Sequence, residues 1–509
     1  MLARARTFAI EGFKARAVTV EVDIRPGLPA FTVVGLADAA VREARDRVRA
    51  AVLNSGYEFP ARRITANLAP ADIPKVGPGF DLALACAVLA ASGQIPGEAL
   101  ETHALFGELS LDGEVRASHG TLAVAEATMK AGLRMLVLGP ARAREARLID
   151  GLQVGVAERL ASAARVLSGG EPDPLPAPSA RRECEGAEHS LDLNDVRGQQ
   201  LAIRALTVAA AGGHNALMNG PPGTGKTMLA QRLPSILPPL TRREAIEAMR
   251  IQSVTGRLEH DRLPSERPFR APHHSITTAG LIGGARRGWV GEIVLAHNGI
   301  LFLDELSEFA RATLDALRQP LEEGRVAIVR ARHSAVYPAR FMLVAATNPC
   351  PCGYAGEHER CRCSETAIAR HRRRLSGPLL DRIDLLVSME RSSAASLAAT
   401  PSTTSEATRE RVIAARERQA ARLAEDGILV NGHMDARMLR KHLSLEYRCE
   451  ELLAETQRKG MLSARGAHRA LRVARTVADL AGSPKVTSDH LAEAVSLRPE
   501  ACLSWRRAA

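Results

Sequence analysis

Eight consecutive residues, Gly220-Pro221-Pro222-Gly223-Thr224-Gly225-Lys226-Thr227, have the types and spacing to hold a polyphosphate. They fit the pattern G-x-x-x-x-G-K-[ST] at every fixed position. Glycines let backbone N–H groups turn inward on a phosphate, and a helix opening there adds its partial positive charge. Lys226 can then reach the β- and γ-phosphates, while the Thr227 hydroxyl can ligate Mg²⁺. The motif needs a strand before it and a helix after it. Ala216-Leu217-Met218-Asn219 reads as the first and Met228-Leu229-Ala230 opens the second.

About 75 residues on lies Gly299-Ile300-Leu301-Phe302-Leu303-Asp304-Glu305, a run of apolar residues closed by two carboxylates. Such a Walker B strand places Asp304 to hold Mg²⁺ through water and Glu305 to polarise an attacking water. A strand ending in a solvated acidic turn has the same look; the phosphate loop upstream favours the catalytic reading.

Cys350, Cys352, Cys361 and Cys363, four of the eight cysteines, fall within fourteen residues as C-x-C-x₈-C-x-C. Four thiolates satisfy a tetrahedral Zn²⁺ site, although x₁ pairs are tighter than the common spacing of two to four. Reduced free thiols in a loop, or a redox pair, fit the same residues. Clustering of this kind belongs to a reducing compartment rather than to a disulfide framework.

The elements that must position these residues belong to a chain of 509 residues, long enough for about three domains. Hydrophobic content of 46% with only 3% aromatics implies cores of Ala, Leu and Val, which suit helices and buried parallel strands. The longest apolar run, Leu82 to Ala91, is about half a membrane span, and Glu11 and Lys14 precede any apolar signal core. A cytoplasmic protein with no membrane partner is expected. The net charge of +11 favours polyanionic partners, nucleic acid foremost.

Residues 1–168 alternate strand and helix patterns: strands at Ala17–Ile24, Phe31–Gly35, Arg63–Ala66 and Leu105–Ser110, and helices at Asp38–Ser55 and Asp81–Ala91. A Pro-rich charged linker, 169–190, leads to the chemical block, 191–390. A Ser/Thr/Ala-rich linker, 391–405, then leads to short helices over 406–509. The fold class expected is α/β multidomain.

The order of motifs resembles that of the AAA+ ATPases, which implies ATP as the nucleotide. On that resemblance Asn348, closing the strand Phe341–Asn348, is the sensor 1 residue that helps place the water. Ser376–Asp384 looks like the segment that delivers an arginine finger, Arg382, to a neighbouring subunit's nucleotide. Arg465, with Arg469 in reserve, suits sensor 2. A finger acting between subunits implies a ring, most often a homohexamer.

Gly107-Glu108-Leu109-Ser110-Leu111-Asp112-Gly113-Glu114-Val115-Arg116 is similar to a segment of the proteolytic domain of Lon proteases. Lys75–Leu82 falls where that family carries its nucleophilic serine, yet no serine stands there and no lysine stands near Gly120-Thr121. A Ser-Lys dyad needs both partners. A degenerate, proteolytically inactive Lon-like domain is expected.

Gly283–Glu292, with Arg286, Arg287 and Trp289, and Gly324–His333, with Arg330 and Arg332, resemble the helix-2 insert and pre-sensor-1 hairpin of the branch holding MCM helicases and magnesium chelatase. Arginines on such hairpins can follow DNA phosphates, and an aromatic can touch a base. The tract Arg370-His371-Arg372-Arg373-Arg374 adds positive charge after the cysteines. Together with Arg-Ala-Pro-His273-His274-Ser275 and Asn348–Gly353, these features resemble the YifB/ComM family of magnesium-chelatase-like proteins over nearly the whole chain. The resemblance implies a ring-forming DNA helicase that drives branch migration as transforming DNA is integrated, working beside recombination proteins. A chelatase motor subunit and an ATP-dependent protease are the competing readings.

Overall fold

The computed structural model describes residues 1–36, 38–175, 191–258, 262–284, 290–330, 333–355, 360–375, 377–391, 393, 403–459 and 462–498. The first part is a mixed sheet of seven strands with helices packed on it, ordered β3-β4-β2-β1-β5-β8-β9. Its strands are β1 (Leu2–Glu11), β2 (Lys14–Arg25), β3 (Ala30–Val34), β4 (Arg63–Ala69), β5 (His103–Leu105), β8 (Met135–Leu138) and β9 (Gln153–Val156). A separate short hairpin pairs β6 (Glu108–Leu109) with β7 (Val115–Arg116).

β1 is one of the elements that sequence reading missed, with β9 and the helix Leu160–Leu167. Its residues Ala3, Ala5 and Thr7 are buried on one face while Arg4 and Arg6 face solvent on the other, so small residues carry the alternation and arginines mask it. It pairs antiparallel with β2 along its length, and on its other edge β5, β8 and β9 add in parallel. The strand expected over Leu105–Ser110 is two pieces, because Gly107 breaks it where a Cβ would strike Val115. The helix Asp81–Ala91 is buried at every residue, which is why its pattern shows no polar face.

The second part is a sheet of five parallel strands ordered β11-β12-β15-β10-β16. They are β10 (Ala216–Asn219), β11 (Phe269–Arg270), β12 (Ile300–Leu303), β15 (Met342–Thr347) and β16 (Leu385–Ser388). β12 and β15 are buried along their whole length, as strands covered on both faces must be. From β10 the chain crosses to the far edge, returns through β12 and β15, and places β16 on the opposite side. That reversal opens a crevice at the carboxyl ends of β10 and β15, where ligands bind in open α/β sheets. Ahead of β15 stands the expected hairpin, β13 (Arg325–Arg330) paired antiparallel with β14 (His333–Pro338).

The helices Ser405–Leu423 and Ala464–Leu480 pack on the helix Gln200–Gly212, forming one apolar core with β10, β15 and β16. Arg416 donates to the carbonyl of Ala210 and Gln419 to that of Ala211, satisfying carbonyls that the helix end leaves open. These helices, of 19 and 17 residues, are longer than expected. The first is capped by Thr404, inside the stretch read as linker. Against the seven-stranded part, the helix Arg242–Thr255 inserts Met249 into an apolar cluster with Leu122, Val124 and Leu136. Phe13, at the β1–β2 turn, meets the Tyr337 ring of β14 at 6.2 Å and lies under the Arg250 guanidinium at 4.7 Å.

Candidate active site

The phosphate loop joins β10 to the helix Lys226–Ile236, as strand-then-helix context requires. Gly223 and Gly225 hold φ of +78° and +85°, a region that favours glycine, and Gly225 caps the helix. Gly220 lies against the neighbouring strand's exit so closely that a Cβ would sit 2.4 Å from the Met389 carbonyl oxygen. Thr224 Oγ1 donates to Pro221 O at 3.0 Å, closing the loop on itself.

Lys226 is mostly buried, and its Nζ donates to the carbonyls of Gly220 (2.5 Å) and Pro221 (2.9 Å) and to Asn348 Oδ1 (3.1 Å). Burial pushes its pKa below the ordinary lysine value, with the charges of Asp304 and Glu305 opposing. Thr227 Oγ1 donates to Asp304 Oδ2 at 2.6 Å, so the two oxygens expected to serve Mg²⁺ already lie together. Asp304 Oδ1 also accepts the N–H of Glu305 at 2.9 Å. Thus β10, β12 and β15 deliver Lys226, Thr227, Asp304, Glu305 and Asn348 to one crevice.

Glu305 sits in the left-handed region at φ +51°, a conformation that costs energy for a residue with a Cβ. Beside it lies a residue to which sequence reading gave no role. His274 Nδ1 is 3.2 Å from Glu305 Oε2, with the His274 ring 4.0 Å from that of His273. The two histidines follow β11, the strand next to β12, and that adjacency was invisible without sheet order.

The arginines are placed differently. Arg382 is largely covered: its guanidinium pairs with the Glu322 carboxylate and donates to Pro378 O at 2.5 Å. Arg465 is exposed on the first turn of the helix Ala464–Leu480, while Arg469 turns to Asp384 at 3.9 Å. Asp384 is buried and ringed by basic groups, with His214 Nδ1 at 3.3 Å and Arg472 at 3.7 Å. Burial works to raise its pKa, but Arg472, His214 and Arg498 together hold it well below the carboxylate range.

Arg286, Arg287, Trp289 and Arg332 lie outside the described residues, and Arg330 is described only as the last residue of β13. Gly283 and Val290 pair across the first of these segments, so its two ends meet. An open cleft of about 440 Å³ is lined by Arg311, Arg370, Arg373 and Arg374 beside Glu308 and Phe309. It adjoins the Walker B turn through Ser307.

The four cysteines converge. Their sulfurs all lie within 4.8 Å of one another, with Cys350–Cys352 at 3.4 Å, Cys352–Cys361 at 3.8 Å and Cys350–Cys361 at 4.0 Å. Zn–S bonds of about 2.3 Å put tetrahedral sulfurs about 3.8 Å apart, so the donor set fits a thiophilic ion. Backbone N–H groups of Tyr354 and Arg362 bring the Cys352 thiol down to about 6.

In the first part, the segment Lys75–Leu82, where the Lon resemblance puts a nucleophile, includes Gly79, whose Cβ position is filled by the Phe106 ring. Lys75 is buried, with its Nζ donating to Pro70 O. Asp81 is buried and paired with Arg47 at 2.8 Å, and burial raises its carboxyl to about 6 against that pairing. Among the described residues no helix is long and apolar enough to cross a membrane.

Three family models match the chain in succession: subunit ChlI of Mg-chelatase over residues 20–142, magnesium chelatase subunit ChlI over 192–397, and its C-terminal part over 402–498. The uncharacterized protein YifB of Escherichia coli is 44% identical over 98% of this chain and 97% of its own. The competence protein ComM of Haemophilus influenzae is 43% identical over 96% of this chain and 95% of its own. Likeness to the magnesium-chelatase 38 kDa subunit of Acidiphilium rubrum is 28% and spans 30% of this chain and 51% of that one. Near-full-length identity at this level, on a parallel sheet with this crevice, makes the chain a member of the YifB/ComM family of magnesium-chelatase-like AAA+ proteins.

Proposed function

We propose that this protein is a cytoplasmic, ring-forming ATPase that couples ATP hydrolysis to DNA translocation and branch migration during recombination, as in the integration of transforming DNA. The observation that carries the reading is the joint arrangement of Lys226 bonded to Asn348 and Thr227 bonded to Asp304, in a family one of whose members is named for competence. ATP·Mg²⁺ would lie in the crevice, with Thr227 and Asp304 at the metal and Lys226 on the β- and γ-phosphates. Glu305 takes the position from which a water is polarised, and Asn348 helps orient it. Arg382 acts on the neighbour's γ-phosphate once released from Glu322, and Arg465 serves as sensor 2.

Residues 1–168 act as a proteolytically inactive Lon-like domain, 191–390 as the motor and 406–509 as its helical lid, with 169–190 and 391–405 as linkers. The net charge of +11 and the cleft of Arg311, Arg370, Arg373 and Arg374 support a phosphate backbone as the track. Arg286, Arg287, Trp289, Arg330 and Arg332 are the proposed pore contacts. Cys350, Cys352, Cys361 and Cys363 hold Zn²⁺ as a structural ion. ATP turnover measured with forked and three-stranded DNA tests the reading. Stimulation by branched DNA is expected, and turnover indifferent to DNA would favour a chelatase-type motor.

A further inference from the structure

The cysteine cluster and the phosphate loop touch. Gly353, one residue past Cys352, holds φ +88° and donates its N–H to Cys350 O at 2.9 Å, forming a tight turn. This turn lies directly on the phosphate loop: a Cβ on Gly353 would sit 2.5 Å from Cδ and 2.7 Å from Cγ of Pro222. At position 353 the approach to the loop leaves no room for a side chain.

The cluster is also tied to the residue that holds Lys226. Cys350, fully buried, stands two positions beyond Asn348, whose Oδ1 accepts from Lys226 Nζ. After Cys363, Ser364 caps the helix Glu365–Arg374, and that helix returns His371 Nε2 to 3.0 Å from Asn348 O. From Asn348 the chain passes Cys350 and Cys352 and turns at Gly353 against Pro222, and after Cys361 and Cys363 the helix Glu365–Arg374 comes back to Asn348. Among its four cysteines only Cys350 is buried. Cross-linking by an ion is the means available to make it rigid.

We propose that a thiophilic divalent cation held by Cys350, Cys352, Cys361 and Cys363 locks the Gly353 turn against Pro222, so that metal occupancy sets the affinity of the phosphate loop for ATP. The inference rests on the metal reading above and adds its consequence for the nucleotide. With the ion bound, Pro222 is pinned from outside and the loop's N–H groups stay turned toward phosphate. Without it, the turn lifts and the loop samples other conformations, which lowers the fraction competent to bind. Cys352, Cys361 and Cys363 are partly exposed, so a chelator reaches the ion from solvent.

The test uses the full chain, without DNA, and reads two quantities: zinc per chain by elemental analysis, and equilibrium affinity for a fluorescent ATP analogue with Mg²⁺. Protein prepared without chelator is expected to carry one zinc per chain. Stripping that ion with a chelator that spares Mg²⁺, then removing the chelator, is expected to weaken nucleotide binding about tenfold, and adding back Zn²⁺ to restore it. Gly353→Ala should keep its zinc yet bind nucleotide more weakly, whereas Cys361→Ser should lose both; recovery on metal re-addition separates the effect from unfolding. Zinc removal that leaves nucleotide affinity unchanged overturns the brace while the metal reading stands. A metal-free protein that binds ATP at full strength overturns both. The function in DNA translocation is untouched by either result.

Discussion

The guanidinium of Arg382 is paired with the carboxylate of Glu322 in the same chain, with only about a fifth of the arginine side chain exposed. On the proposed role, in which Arg382 acts on a neighbouring subunit's γ-phosphate, this pair with Glu322 would have to break when subunits meet. Arg382→Ala is expected to lower ATP turnover by about 10³-fold with little change in nucleotide affinity. Mixing Arg382→Ala with Lys226→Ala subunits should restore part of the activity that each lacks, because some interfaces then hold an intact loop facing an intact arginine. Failure to recover under conditions that allow subunit exchange would assign Arg382 a role inside its own subunit. Glu322→Gln, which removes the competitor, should leave turnover undiminished.

The imidazole of His274, 3.2 Å from Glu305, orients a carboxylate whose backbone is already in the left-handed region. His274→Ala should lower kcat about tenfold, the scale of one lost charge-assisted hydrogen bond, while KM for ATP stays near that of the wild type. His274→Asn, which keeps a donor in place, should recover most of the loss. A rise in KM with kcat unchanged would place His274 in nucleotide binding instead.

Asp384, just ahead of β16, contacts His214 beside β10 and links the five-stranded sheet to the helix Ala464–Leu480 through Arg469 and Arg472. Its carboxyl is held below the ordinary range, so it contributes stability that is fully present above about pH 4 and is lost as pH falls below it. Asp384→Asn leaves buried arginines without their counter-charge and should cost about 3 kcal/mol or more. Urea unfolding at pH 7 should show that loss, and the gap between variant and wild type should shrink as the solution is acidified.

Much of this arrangement was legible because periodicity and motif spacing are local properties. The run Ile300–Leu303 and the run Met342–Thr347 announce buried strands, and Gly220–Thr227 announces the turn between β10 and its helix. What escaped was set by contacts between distant segments. β1 hid because alanine supplies its buried face and arginine its exposed one. The approach of His274 to Glu305 depends on β11 lying beside β12, and that of Gly353 to Pro222 on β15 lying beside β10. The covering of Arg382 by Glu322 joins residues 60 positions apart, with no pattern in either segment to signal it.

The most direct measurement is branch migration of three-stranded DNA by the wild-type protein beside Lys226→Ala and Glu305→Gln. The wild type should displace strand in the presence of ATP and Mg²⁺, and both variants should fail. Glu305→Gln should still bind ATP, because Lys226 and Thr227 remain in place. Wild-type protein that hydrolyses ATP yet moves no branch, with turnover unaltered by the DNA, would contradict the account.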